Sequence, residues 1–154
     1  MKKSFFAIAL ATGIGCGGGA NLITGVDLLS YVATSQVTSA NPMRFSTTVV
    51  VANTTTEVTS FTPSCAVPRI LVYASAARTG TPVFDSKTRD TGSLCGTPQK
   101  TSLGVSKSIS YTNTATGAEV LGSNGTPGTY YIVDEVTLDG EPIRVVAGEV
   151  ILAR

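Results

Sequence analysis

The 154-residue chain contains no histidine and no tryptophan, and only 14% of its residues carry charge. Without histidine there is no usual general base near neutral pH, no commonest zinc ligand, and no Ser-His-Asp or Cys-His arrangement. A catalyst would have to rely on carboxylates, a Ser-Lys pair or a borrowed cofactor. The expectation is therefore a protein that is not an enzyme, with no cofactor and no metal. Charge is balanced as well as scarce: the net charge is +1, and without Lys2 and Lys3 nine basic and ten acidic side chains remain. That balance excludes the basic face that nucleic acid requires and the polybasic patch that an anionic membrane attracts. Helix-forming runs of Ala, Leu, Glu and Lys are missing too. The 42% hydrophobic content nevertheless suffices for a packed core.

What is present begins with an export-like leader over residues 1–20. Lys2 and Lys3 precede an apolar run from Phe5 to Ile14, which is shorter than the roughly twenty residues a membrane-spanning helix needs. Two cleavage readings stand. Gly13-Ile14-Gly15-Cys16 resembles a bacterial lipobox, which would make Cys16 the lipid-attachment residue and the following Gly17–Gly19 a flexible tether. Gly13 departs from that pattern, which prefers an aliphatic residue there. Ordinary signal peptidase cleavage after Ala20 is the other reading. The first places the protein on the membrane of the bacterial cell envelope; the second makes it secreted or periplasmic.

In either case Cys16 leaves the count, and Cys65 and Cys95 remain. In an oxidising compartment they are expected to form a disulfide. Closing a loop of roughly thirty residues would contribute about 3–4 kcal/mol. Two separately buried thiols are the alternative. Two cysteines without histidine make a poor metal site.

From residue 21 to 154 the pattern reads as one all-β domain, an antiparallel immunoglobulin-like β-sandwich of about seven to eight strands, with a small barrel as the alternative. The absence of tryptophan excludes a true immunoglobulin domain, whose core holds one. Tyr31 to Thr38 opens the series, and Phe45 to Ala52 alternates so that Phe45, Thr47, Val49 and Val51 share a face. A short strand from Val58 to Phe61 follows. Ile70 to Tyr73 has apolar residues on both faces, and Val83-Phe84 returns after a turn containing Gly80. Ser86 to Lys100 reads as a surface excursion, Ser102 to Tyr111 as one long strand, and the stretch carrying Leu121 and Asn124-Gly125 as a loop. Tyr130 to Leu138 and the stretch from Ile143 to Leu152 flank Asp139-Gly140, a type I′ hairpin signal.

The order of these features resembles the BsuPI-type intracellular proteinase inhibitor domain. The carrying residues are a strand ending at Asn53, Leu71-x-Tyr73, Gly80-x-Pro82-Val83-Phe84-Asp85-Ser86, and Pro127-Gly128-x-Tyr130, with one cysteine before the hairpin and one after it. The resemblance is greatest to exported, cysteine-containing relatives and spans residues 30–152. Phe84 stands where the family commonly has tryptophan. The resemblance implies a compact β-sandwich that binds a subtilisin-like serine protease. No inhibitory residue of the family maps onto this chain.

Among local features, Leu94 beside Cys95 marks the candidate protease-contact loop, since leucine suits the primary pocket of subtilisin-like enzymes; covering the disulfide is its plainer role. A rigid loop there would lose little entropy on docking. A structural or adhesive envelope module that binds another protein or a polysaccharide is the competing expectation. The carboxylates open to recruitment are Asp85, Asp90, Asp134, Glu135 and Asp139, all expected at turns or on solvent faces. Asp134 and Glu135 point to opposite faces and cannot form a dyad. Arg69, Arg78 and Arg89 surround the hairpin without a phosphate cradle. Of the neighbours Tyr130 and Tyr131, one is expected in the core and one at the surface.

Overall fold

The computed structural model describes residues 25–89 and 95–153. The leader with Cys16, and the segment with Asp90 and Leu94, lie outside the described residues. A 3-10 turn over Gly25–Leu28 leads into β1 (Leu29–Ala40), β2 (Met43–Asn53), β3 (Thr59–Phe61), β4 (Arg69–Tyr73) and β5 (Phe84–Asp85). After a second 3-10 turn at Ser86–Thr88 come β6 (Thr101–Leu103), β7 (Ser108–Thr116), the single-turn helix α1 (Gly117–Leu121), β8 (Gly128–Leu138) and β9 (Glu141–Leu152).

All pairings are antiparallel. One sheet runs β1-β2-β7 and the other β5-β4-β8-β9, with β3-β6 as a small separate ribbon. The two larger sheets pack into an all-β sandwich, as alternating apolar residues on their inner faces require. The expected inner face of β2 is correct: Phe45, Thr47, Val49 and Val51 are fully buried. β4 is buried on both faces, as Ile70 to Tyr73 predicts. At the β8–β9 turn, Asp139 and Gly140 both adopt positive φ, at 51° and 87°, as a type I′ turn demands.

The core divides along the strands into two apolar clusters. Phe45, Ile70, Val72, Ala115, Val120, Leu121, Ile132, Val150 and Leu152 belong to one. Val49, Val51, Phe61, Leu103, Tyr111, Val136 and Leu138 belong to the other. Thr47 on β2, Asn113 on β7 and Asp134 on β8 fall between them in sequence and are buried.

Several expectations need correction. Ser102 to Tyr111 is two strands, because a turn at Gly104 brings the Lys107 N–H onto the Gly104 carbonyl at 3.1 Å and Ser106 takes φ 57°. Val105 therefore sits exposed in that turn. The stretch leading to Leu121 is helical: Thr116 and Glu119 form a reciprocal capping box, satisfying two donors at the helix start. The excursion expected from Ser86 begins in the interior, where buried Ser86 accepts the Ile70 N–H through Oγ at 2.9 Å. Asp134 and Glu135 are not solvent-facing; both are buried on opposite faces of β8.

Candidate functional site

Cys65 and Cys95 are joined as a disulfide that links the β3–β4 connection to the β5–β6 connection. A groove of about 240 Å³ lies beside it, lined by Ser64, Val67, Pro68, Arg69, Lys87, Glu135 and Thr137 among others. One wall is covalent and the other is ionic.

The ionic wall follows from strand register. Arg69 on β4 stands opposite Glu135 on β8, and Glu135 stands opposite Arg144 on β9. Arg69 donates from Nε to Asp85 Oδ1 at 2.7 Å and from Nη1 to Glu135 Oε1 at 2.8 Å. Arg144 donates from Nε to Glu135 Oε2 at 2.8 Å. The bond from Arg69 holds the Asp85 carboxyl below the usual carboxylate range. Burial pushes Glu135 upward, but the bonds and charges of Arg144 and Arg69 outweigh it and its net shift is downward. Asp85 also accepts the Lys87 N–H at 2.9 Å, which caps the Ser86–Thr88 turn. The chemistry of this wall is that of a fixed charge array, with each carboxylate held ionised.

The second flank of the β5–β6 connection is fixed as well. Arg89 donates to the Thr114 carbonyl at 2.7 Å, to Asn113 Oδ1 at 3.0 Å and to Glu119 Oε1 at 3.3 Å. Arg89 and Cys95 thus anchor both sides of the segment that carries Leu94.

The remaining candidates are dispersed. Asp139 accepts the Thr62 N–H through Oδ1 at 2.8 Å and so ties the β8–β9 turn to β3. The Arg78 guanidinium lies 5.2 Å from the Tyr131 ring centroid, a cation–π contact. Tyr130 packs against the first core cluster and Tyr131 against a smaller cluster of Leu71, Tyr73 and Val133. The two tyrosines do face opposite ways, yet both are half-buried, with the Arg78 guanidinium lying over the Tyr131 ring. Among the described residues no group of three or more His, Cys, Asp or Glu is placed to hold a metal ion.

Lys87, Thr137 and Arg144 were not singled out by the sequence reading. Arg144 was within reach of it: counting back from the Asp139-Gly140 turn puts position 144 opposite 135. Thr116-x-x-Glu119 was likewise a legible capping signal. Lys87 and Thr137 come from elements remote in sequence and carry no local signature.

No family model matches the sequence, and comparison with curated proteins finds no match. Among solved structures, the chain is similar to the ApaA protein of Bordetella pertussis, with 17% identity over 81% of this chain and 92% of that one, and a TM-score of 0.39. A structural-genomics target solved by X-ray crystallography gives 13% identity over 84% and 89%, with a TM-score of 0.37. Part of a β-glucosidase from Listeria innocua, solved with glucose, gives 11% identity over 80% of this chain and 17% of that chain, with a TM-score of 0.35. At such low scores these likenesses assign neither family nor activity.

Proposed function

We propose that this chain is a non-catalytic binding module of the bacterial cell envelope, exported by its leader and held to the membrane through Cys16 or released after Ala20. Its contact surface is the disulfide-flanked groove with the adjoining segment that carries Leu94, and its partner is a subtilisin-like serine protease. The observation that carries this reading is the fixing of the groove's own rim, by the Cys65–Cys95 bond on one side and the Arg69 hydrogen bonds to Asp85 and Glu135 on the other. Contact loops fixed before docking lose less conformational entropy on binding. The carboxylates around the groove support a binding role, because Asp85 and Glu135 are held ionised by arginines and Asp85 also caps a turn. Such tied acids are poor proton donors or acceptors near neutral pH.

The test is an inhibition assay of the mature protein against a subtilisin-type enzyme. Slowed peptide hydrolysis that weakens on Leu94→Gly is the expected result. Full protease activity at micromolar excess of the protein would remove the protease as partner.

Adhesion to a polysaccharide or another envelope protein is a second reading, favoured by the outer face of the β1-β2-β7 sheet. There Thr34, Thr48 and Thr112 occupy one cross-strand row, and Val32, Val50 and Ser110 occupy the next. Thr48 and Thr112 share a hydroxyl hydrogen bond at 3.0 Å. Such an uncharged hydroxyl and methyl face suits a neutral, hydrated partner. Capture of a single envelope component other than a protease would favour it.

A further inference from the structure

Asp134 is fully buried, and neither carboxylate oxygen has a hydrogen-bond partner. The Thr47 hydroxyl is also buried and unpartnered. Buried polar groups are nearly always satisfied, so two such groups in one core call for a physical account.

Strand register supplies it. Ser35, Thr47 and Asn113 form one row across the β1-β2-β7 sheet. Thr47 and Asn113 are buried, and the row crosses the sandwich between the two apolar clusters. Asp134 lies at the corresponding level of β8, flanked by Ile70 on β4 and Val145 on β9. At its β1 end the row approaches β9: Ser35 Oγ lies 3.5 Å from the Glu149 carbonyl and 3.5 Å from where a Cβ on Gly148 would stand. There the β8–β9 ladder is irregular. Val133 pairs with Val146 while Ile132 pairs with Gly148, leaving Ala147 as the extra residue, and Gly148 takes φ 108°. β1 and β9 lie side by side without a hydrogen-bonded ladder. The polar row thus runs from the buried acid's level to a seam where the backbone is locally unpaired.

We propose that Asp134 is a proton gate in the core. As a neutral acid it carries no charge into the core and the sandwich stays closed; on losing the proton to solvent, the unpartnered carboxylate draws water along the Ser35 row and β9 loosens from β8 at the Ala147–Gly148 bulge. No ionised group among the described residues faces Asp134 to compensate a charge there. Ile70 and Val145 stand beside it in its own sheet, the facing row is Ser35, Thr47 and Asn113, and the Arg89 guanidinium reaches that row only at Asn113 Oδ1, where it is hydrogen-bonded at 3.0 Å. Arg69, Glu135 and Arg144 lie on the other face of the sheet by strand alternation. Burial pushes the Asp134 carboxyl up to about 7. Ionisation therefore falls in a range an exported protein meets.

The experiment is hydrogen exchange and denaturant unfolding of the full disulfide-bonded protein from about pH 4 to about pH 8, with Asp134→Asn as comparison. The unfolding constant of the wild type should rise by up to tenfold per pH unit between about 4 and 7. Protection should fall first in the β8–β9 ladder from Ile132 to Asp134 and from Val145 to Gly148. Asp134→Asn should remove this slope. Parallel wild-type and variant curves, or a loss of protection spread evenly over all strands, would overturn the proposal. Should the variant not fold, the infrared carbonyl band of a protonated carboxylic acid in the wild type at about pH 5 decides. Its presence, with loss by about pH 8, supports the gate, and its absence removes it.

Discussion

Asn53 closes the end of β2 from the inside. Its backbone N–H donates to the Lys107 carbonyl at 2.9 Å, and its side-chain nitrogen reaches the Glu57, Leu103 and Gly104 carbonyls at 2.7, 3.0 and 3.2 Å. Its Oδ1 accepts from the Thr55 N–H and hydroxyl. One fully buried amide thereby fixes the β2–β3 connection and the β6–β7 turn together. Each buried polar group left unsatisfied costs about 1–3 kcal/mol. Asn53→Ala strands more than one, so it should destabilise the fold by about 3 kcal/mol or more, read as a lower urea midpoint at unchanged slope. A loss below about 1 kcal/mol would mean that water replaces the amide at this corner.

Single elements here are short, and what fixes them is attached from outside. β3, β5 and β6 have two or three residues each, too few to hold their own pairing. The Cys65–Cys95 bond joins the connections that precede β4 and β6. Replacing both cysteines with serine should cost about 3–4 kcal/mol by enlarging the unfolded ensemble, read as a lower thermal midpoint matched by the reduced wild type. An unchanged midpoint would show that the Arg69 and Arg89 bonds alone hold these connections. Intact mass of membrane-extracted protein checks the same bond through its two missing hydrogens, and reports whether Cys16 carries lipid. The helix α1 illustrates the same dependence, since Gly117 is packed so closely that a Cβ would meet the Ala153 carbonyl oxygen at 2.6 Å.

At the scale of the whole molecule, acid-base behaviour combines two opposed contributions. Asp85, Glu119 and Glu135 have depressed folded pKa values. Their stabilisation is present above their unfolded values near 4 and is lost as pH falls through the folded ones. Asp134 is raised from 3.8 to about 7, so its folded form keeps a proton the unfolded chain has released, and stability declines as pH rises between those values. The fold should accordingly be most stable at about pH 4–5 and weaker on both sides, checked by chemical denaturation across pH. A maximum at or above about pH 7 would show that Asp134 ionises without strain.

Much of this architecture was legible from local chemistry. The two-residue period of Phe45, Thr47, Val49 and Val51 revealed an inner face, the doubly apolar run at Ile70–Tyr73 a central strand, and Asp139-Gly140 a hairpin, because each depends on neighbours within a few positions. Cysteine arithmetic pointed to the disulfide. The split of Ser102–Tyr111, by contrast, depends on a turn whose carbonyls are collected by Asn53, far away in the chain. Asp134 and Glu135 read as ordinary polar residues until β2 and β7 bring Thr47 and Asn113 to one side of β8, and Arg69 and Arg144 to the other. The sequence by itself determined the all-β class and the alternation of its central strands, which are set by side-chain period, and its cysteine count pointed to the sulfur pairing. Only the tertiary structure decided which acids are paired and which is stranded, because the burial and partners of a charge depend on what the opposing sheet and neighbouring strands place around it.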